Sequence, residues 1–380
     1  MRPFMTVGKN LREPTRLPVD SPIGDGYEKD AHHGGSVPVL SGSLPARRFR
    51  VNHISGRPSN YYGFVRDGLS ANTYTDKAGI WSGQRSGWAS IDNYLNADAS
   101  QEALVAEYAV FSLRIDTRTA SAPRVRALLD KAVAAWKQEH GAKHVPRDVK
   151  HELRENVTNE VLSETTPRTK IIDVVWDTTN DWLILSHLSE GVLEAFMRNF
   201  GASFPGIGLE AWDPFGSEDE LIADVERTAG DFYLWLWWSI STGEAVDGVE
   251  NLDVDGKVVL SGKGGETTVS SEAIHQVPEA HVALLNGKRP TMMKLRADID
   301  GRTFAFSVTG CRAFFATLKL PDSGEKKTRL DREAAIIDRM GAYGLLHDTF
   351  SGWIRQFRTM YNDPSTWPEV SESINNWLKE

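Results

Sequence analysis

RDVKHELRENVTNEVL (147–162), SETTPRTK (163–170) and IIDVVWDTTNDWLILSHLSEGVLEAFMRNF (171–200) decide the architecture. They read as a charged amphipathic helix, a short basic connector, and two strands leading into a second helix. Val149, Leu153, Val157 and Val161 recur every fourth residue and stack as one apolar stripe. Pro146 suits the start of that helix, where its missing N–H costs nothing. Arg147, Lys150 and Arg154 follow one flank of the stripe, and Asp148, Glu152 and Glu155 fall on the far side. Thr165, Thr166 and Pro167 stop the helix, because the residue before a proline is pushed out of the helical region. Ile171 to Trp176 is β-branched and apolar, a buried strand by composition. Asp177 to Asp181 supplies turn chemistry, and Trp182 to Leu188 returns as the partner strand. Glu190 to Phe200 is a helix with Val192, Leu193, Phe196 and Met197 on one face and Gly201 at its end.

Outward from this stretch, the helical pattern of Pro123 to His140 is the clearest in the chain. Val125, Leu128, Leu129, Ala132, Val133 and Trp136 share one face, with Gly141 after the end. The short link to the next helix predicts an antiparallel two-helix arm over 121–165. Residues 1–45 are rich in Pro, Gly and Ser and read as a flexible arm. The His32-His33 pair there has no third ligand at useful spacing, so it reads as solvated. Arg47, Arg48 and Arg50 open the folded part on a strand, either as phosphate contacts or as a charged strand edge. Tyr61 to Val65 reads as a core segment, Trp81 to Trp88 as a loop anchored by aromatics, and Tyr108 to Ile115 as a strand.

The folded part divides at 46–215 and 216–361, with a tail over 362–380 that holds a short helix after Pro368. Ser217 and Glu220 form a capping pair before a short helix to Thr228. The aromatic run Phe232 to Trp238 fits either base stacking or a buried element, and burial is favoured. Strands follow at Leu252–Leu260 and Thr267–Ser271, then a hairpin of Met292–Ile299 and Arg302–Val308 around Asp300-Gly301. Phe314–Leu320 is a further strand and Arg332–Met360 a helix. Strands and helices in clusters rather than alternation make the class α+β.

Composition narrows the function. One cysteine, Cys311, rules out a disulfide framework within the chain and Cys-based zinc sites, and fits a cytoplasmic protein. The longest apolar run, Phe232 to Ile240, is far short of the ~20 residues of a membrane helix. Net charge is −9, from 43 basic and 52 acidic side chains. That is unusual for a nonspecific nucleic-acid binder, yet a basic channel and an acidic outer surface coexist when the charges are segregated.

Gly141, Lys143, Glu160-Val161-Leu162, Pro167-Arg168 and Trp176-Asp177-Thr178, followed by the second strand, resemble the recombination-associated RdgC family in order. The resemblance implies an elongated α+β subunit with antiparallel sheets, a two-helix arm, and a ring-shaped dimer with a basic interior. It implies nonspecific binding of double-stranded DNA without catalysis, competition with a RecA-type recombinase, and nucleoid association. In the family the Pro-Arg connector lies at a gate between subunits, which Pro167-Arg168 matches. The family phenylalanine that follows is replaced here by Lys170. Lys263 matches a basic residue of a DNA-facing loop. Candidate DNA contacts are therefore Arg147, Lys150, Arg154, Arg168, Lys170, Lys263, Lys294 and Arg296, with no cofactor and no metal.

The alternative is a metal-dependent nuclease. Asp322, Glu325 and Lys327 imitate its carboxylate pattern, but they crowd into one glycine-containing loop instead of neighbouring strands. Gly262 to Thr268 lacks the lysine-hydroxyl ending of a phosphate loop, and no HExxH or GxSxG occurs.

Overall fold

Two antiparallel sheets organise the computed structural model, which describes residues 38–76, 78–91, 103–216, 222–271, 274, 277–320 and 328–380. The first sheet has seven strands: β1 (Arg47–His53), β2 (Gly83–Ala89), β3 (Leu104–Val105), β4 (Tyr108–Arg118), β5 (Arg168–Asp177), β6 (Trp182–Leu185) and β7 (Ile207–Ala211). Their order is β2-β4-β5-β6-β1-β7, with β3 also beside β4. The second has five: β8 (Asn251–Ser261), β9 (Thr267–Ser270), β10 (Arg289–Ile299), β11 (Arg302–Thr309) and β12 (Phe314–Lys319), in the order β12-β11-β10-β8-β9. Among the described residues the helices are α1 (Tyr61–Ala71), α2 (Ala122–His140), α3 (Arg147–Glu164), α4 (Glu190–Ser203), α5 (Ile222–Thr242), α6 (Pro278–Leu285), α7 (Arg329–Tyr361) and α8 (Thr366–Trp377). The class is α+β.

Alternation along β4 and β5 explains why the first sheet is buried on both faces. Phe111, Leu113, Ile115, Ile172, Val174 and Trp176 pack with Phe196, Phe200 and Phe204, on the side of α1 and α4. Tyr108, Val110 and Val175 point the other way, into the core shared with α5, α7 and the second sheet. The turn after β5 forms as its residues require. The Asp177 carboxylate accepts from the backbone N–H groups of Thr179 at 2.9 Å and Asn180 at 2.7 Å. Asp300-Gly301 joins β10 to β11 with φ of 51° and 68°, the left-handed pair of a two-residue hairpin.

Tertiary contacts changed several sequence expectations. Residues 38–45, placed in the flexible arm by composition, are seated in the fold: Val39, Leu40 and Leu44 are buried, and Ser43 and Ala46 bridge to Lys319 and Phe315 of β12. His32 and His33 lie outside the described residues. Tyr61 begins a helix, capped by the Asn60 side chain at 2.9 Å from the Gly63 N–H. The expected Trp81–Trp88 loop is a strand from Gly83 onward, part of β2, because β4 supplies its ladder over Ser112 to Arg118. Gly201 lies inside α4, which runs on to Ser203. The edge strand β7 exists by pairing with β1. The aromatic run belongs to one 21-residue helix, α5, with Phe232 and Trp237 fully buried, so base stacking by these rings is excluded. Ser217 and Glu220 lie outside the described residues.

Candidate nucleic-acid interface

The arm is an insertion between two neighbouring strands. β4 leads into α2, α3 returns into β5, and β4 and β5 pair from Tyr108↔Asp177 to Thr117↔Arg168. A helix pair so placed projects from the end of the sheet, each helix about 28 Å long at 1.5 Å per residue. Its root is held by Arg118, whose guanidinium donates to the carbonyls of Thr165 at 2.9 Å, Ser163 at 3.3 Å and Gly79 at 3.3 Å. Arg124 and Glu164 add an ion pair between the two helices.

Burial grades along the arm. Val157 and Val161 are buried near the root, and Val149 and Leu153 are only half-buried further out. No residue of α2 is buried; Leu128, Leu129, Val133 and Trp136 are half-exposed. The helices therefore cover each other incompletely. Arg147, Lys150 and Arg154 are all exposed on α3, beside the stripe that their spacing predicts.

Arg168 and Lys170, expected on a connector, are the first and third residues of β5. The connector is only Thr165 to Pro167. Directly opposed residues share a sheet face, so Lys170, opposite Ile115, lies on the α4 side, and so does Arg168, opposite Thr117. Arg168 is exposed and Lys170 half-buried. The other face of the same strand end carries a buried network that periodicity does not reveal. Arg114 donates to Asp116 at 2.7 Å, Tyr74 donates to it at 2.6 Å, and Arg114 lies 4.1 Å over the Tyr74 ring. Burial alone would raise the Asp116 carboxyl, but the hydrogen bonds from Arg114 and Tyr74 outweigh it and hold the pKa below the usual range. Beyond them Arg85 stacks 4.4 Å over Trp81 at the sheet edge. Arg47 is not a phosphate contact: it is buried, donating to Glu190 and to the Leu188 carbonyl, each at 2.7 Å.

The remaining candidates are on the second sheet. Lys263 is exposed in the turn between β8 and β9, where Gly264 and Gly265 take φ of 89° and 88°. Lys294 and Arg296 lie on the outer face of β10, at 2.8 Å and 3.6 Å from the Asp255 carboxylate. The structure thus joins Lys294 to Arg296 through an acid that motif searching passes over. Asp322, Glu325 and Lys327 lie outside the described residues. Among the described residues no group of three or more His, Cys, Asp or Glu could hold a metal ion. Nor is any helix among them long and apolar enough to cross a membrane.

An antiparallel sheet with a helical arm inserted between two neighbouring strands defines an α+β protein. Residues 71–223 match the model of a family described as "Putative exonuclease, RdgC". Over that stretch, which runs from the last residue of α1 into α5 and contains the whole arm, the chain is similar to this family. That similarity is compatible with a role in DNA recombination. The second sheet lies outside the match. No curated protein matches the chain.

Proposed function

We propose that this protein binds double-stranded DNA with little sequence preference, does not cleave it, and limits the access of a RecA-type recombinase by occupying the duplex. The observation that carries this reading is the exposed row Arg147, Lys150 and Arg154 on an arm that lies within the family-matched residues. Arg168 and Lys170 stand at the root of the same arm. Such side chains meet phosphates as point charges, which fixes position without reading bases. The acidic total of the chain is compatible with this, since the local field governs contact.

The working form is a homodimer that encloses or straddles DNA, and nucleoid association follows from DNA binding. Half-exposed apolar faces on α2 and α3 support a partner subunit at the arm. Light scattering should give the dimer mass at micromolar concentration; a monomer throughout would defeat the ring-like form.

The family description favours a second reading, exonuclease action, for which Asp322, Glu325 and Lys327 are the candidate residues. One experiment separates the two. Labelled duplex is incubated with the protein and Mg²⁺ or Mn²⁺, beside a gel shift without metal. A shift without cleavage is the expected result. Metal-dependent shortening of the DNA would replace the first reading with the second.

A further inference from the structure

We infer that Asp255 occupies a phosphate position on the outer face of the second sheet, and that a DNA phosphodiester displaces it from Lys294 and Arg296. This rests on the DNA-binding reading and extends it to a site outside the family-matched residues.

The inner face of β10, through Met293, Leu295, Ala297 and Ile299, is core; Lys294 and Arg296 alternate outward. Arg296, Ala305 and Lys319 form one cross-strand row, and Lys294, Ser307 and Thr317 the next. Small side chains therefore separate the cations, and nothing bulky in these rows keeps a nucleic-acid backbone away. Asp255 is brought to this face by a break in strand pairing. Met293 pairs with Val258 and Leu295 with Val254, so Asp255, Gly256 and Lys257 all span the single residue Lys294. Gly256 makes the bulge with φ of 72°. Such bulges re-aim side chains, and here the carboxylate lands 2.8 Å from the Lys294 ammonium and 3.6 Å from the Arg296 guanidinium.

The hydrogen bond from Lys294, with the charges of Lys294, Arg296 and Lys319, holds the Asp255 carboxyl below its ordinary pKa despite partial burial. It stays an anion at neutral pH and holds the cations together in the absence of DNA. The cations are accessible, Lys294 with 45 % and Arg296 with 54 % of the side chain exposed, so an incoming phosphate can exchange for the carboxylate. Asp253 stands opposite Arg296 on β8 and is exposed, which makes it the natural control.

The test compares the full chain with its Asp255→Asn and Asp253→Asn variants for affinity to duplex DNA across salt concentration, and for tripolyphosphate by calorimetry. Asp255→Asn should bind DNA several-fold more tightly at low salt, with a salt slope steeper by about one unit for each additional phosphate neutralised. Adding Lys294→Gln and Arg296→Gln should abolish the gain. Equal affinity and slope for Asp255→Asn and the native chain would overturn the inference while leaving DNA binding intact. A gain of the same size in Asp253→Asn would also overturn it, since that is a general charge effect. If no form bound DNA, but Asp255→Asn alone took up tripolyphosphate, the anion site would stand and the DNA reading would fall.

Discussion

Arg339 on α7 donates its Nε–H to the carbonyl of Val39 at 3.0 Å, across 300 residues of sequence. The same guanidinium reaches the carbonyls of Pro38 at 3.0 Å, Gly42 at 2.9 Å and Leu320 at 3.2 Å. It is fully buried and pins residues 38–42 against the second sheet. Replacing Arg339 by Met would leave buried carbonyls without donors, at about 1–3 kcal/mol for each one not rescued by water. Lys should not restore stability, because one ammonium cannot span the fork's positions. The midpoint of urea unfolding reads this directly; unchanged midpoints would show that the segment is not held by Arg339.

Asp173 holds the same segment from the first sheet. Its carboxylate accepts from the Val39 N–H at 3.2 Å and from the Ser112 hydroxyl at 3.1 Å. Burial pushes its pKa up to about 6 against the lowering effect of those bonds. The folded state therefore binds more protons than the unfolded chain between the ordinary value of 3.8 and about 6. This contribution is fully present below 3.8 and is lost as pH rises through about 6, a change of about 3 kcal/mol at ~1.4 kcal/mol per unit. Asp173→Asn should remove it, so that the variant gains on the native chain as pH rises from 4 to 6.5. A pH-independent difference between the two would refute the assignment.

His347 gives the opposite slope. Burial pushes its pKa down to about 4, outweighing the hydrogen bond it makes with Asp348, and it packs 4.5 Å from the Trp212 ring. The unfolded chain binds the proton first, so the contribution is present above 6.5 and is lost as pH falls through about 4. His347→Gln should lose its handicap against the native chain as pH falls over that window. Thermal unfolding at matched pH values would show it, and a constant offset would not be compatible.

Gly87 is required by a close backbone approach. A Cβ there would sit 2.6 Å from Tyr74 Cα and 2.7 Å from Tyr74 N, where β2 meets the chain leaving α1. Backbone on both sides cannot yield cheaply, so Gly87→Ala should cost about 1–3 kcal/mol. Gly191, in α4 with nothing near its Cβ position, is the contrast: Gly191→Ala should be neutral or stabilising by up to ~1 kcal/mol. Equal effects at the two sites would remove the steric explanation.

Arg168→Ala with Lys170→Ala tests the root of the arm. If both side chains meet phosphates, affinity should fall alike for all duplex sequences, and the slope of log affinity against log salt should shrink by about one unit for each phosphate no longer neutralised. Arg168 is exposed and pairs on β5 through its backbone, so stability should change little. Unchanged affinity and slope would move the DNA path away from this strand end.

What was legible in the sequence alone was what local chemistry determines. The two arm helices follow from their 3.6-residue periodicity, the Asp177–Asp181 turn from a side chain that bonds its own backbone, and the β10–β11 hairpin from Asp300-Gly301. The candidate cations were legible as residue types beside these elements, and the resemblance to a family over residues 71–223 was legible in the order of weak motifs. Tertiary structure decided the rest, because the partners are distant in sequence. β2 and β7 carry weak strand signals and exist because β4 and β1 offer them ladders. Composition reads residues 38–45 as arm; Asp173 and Arg339, far along the chain, hold them in the core. Periodicity shows Lys294 and Arg296 as outward residues of a strand, but only a bulge at Gly256 brings Asp255 between them. A turn or a helix stripe is encoded within a few residues of itself. Strand pairing and charge pairing are encoded in the matching of remote segments, which no local pattern contains.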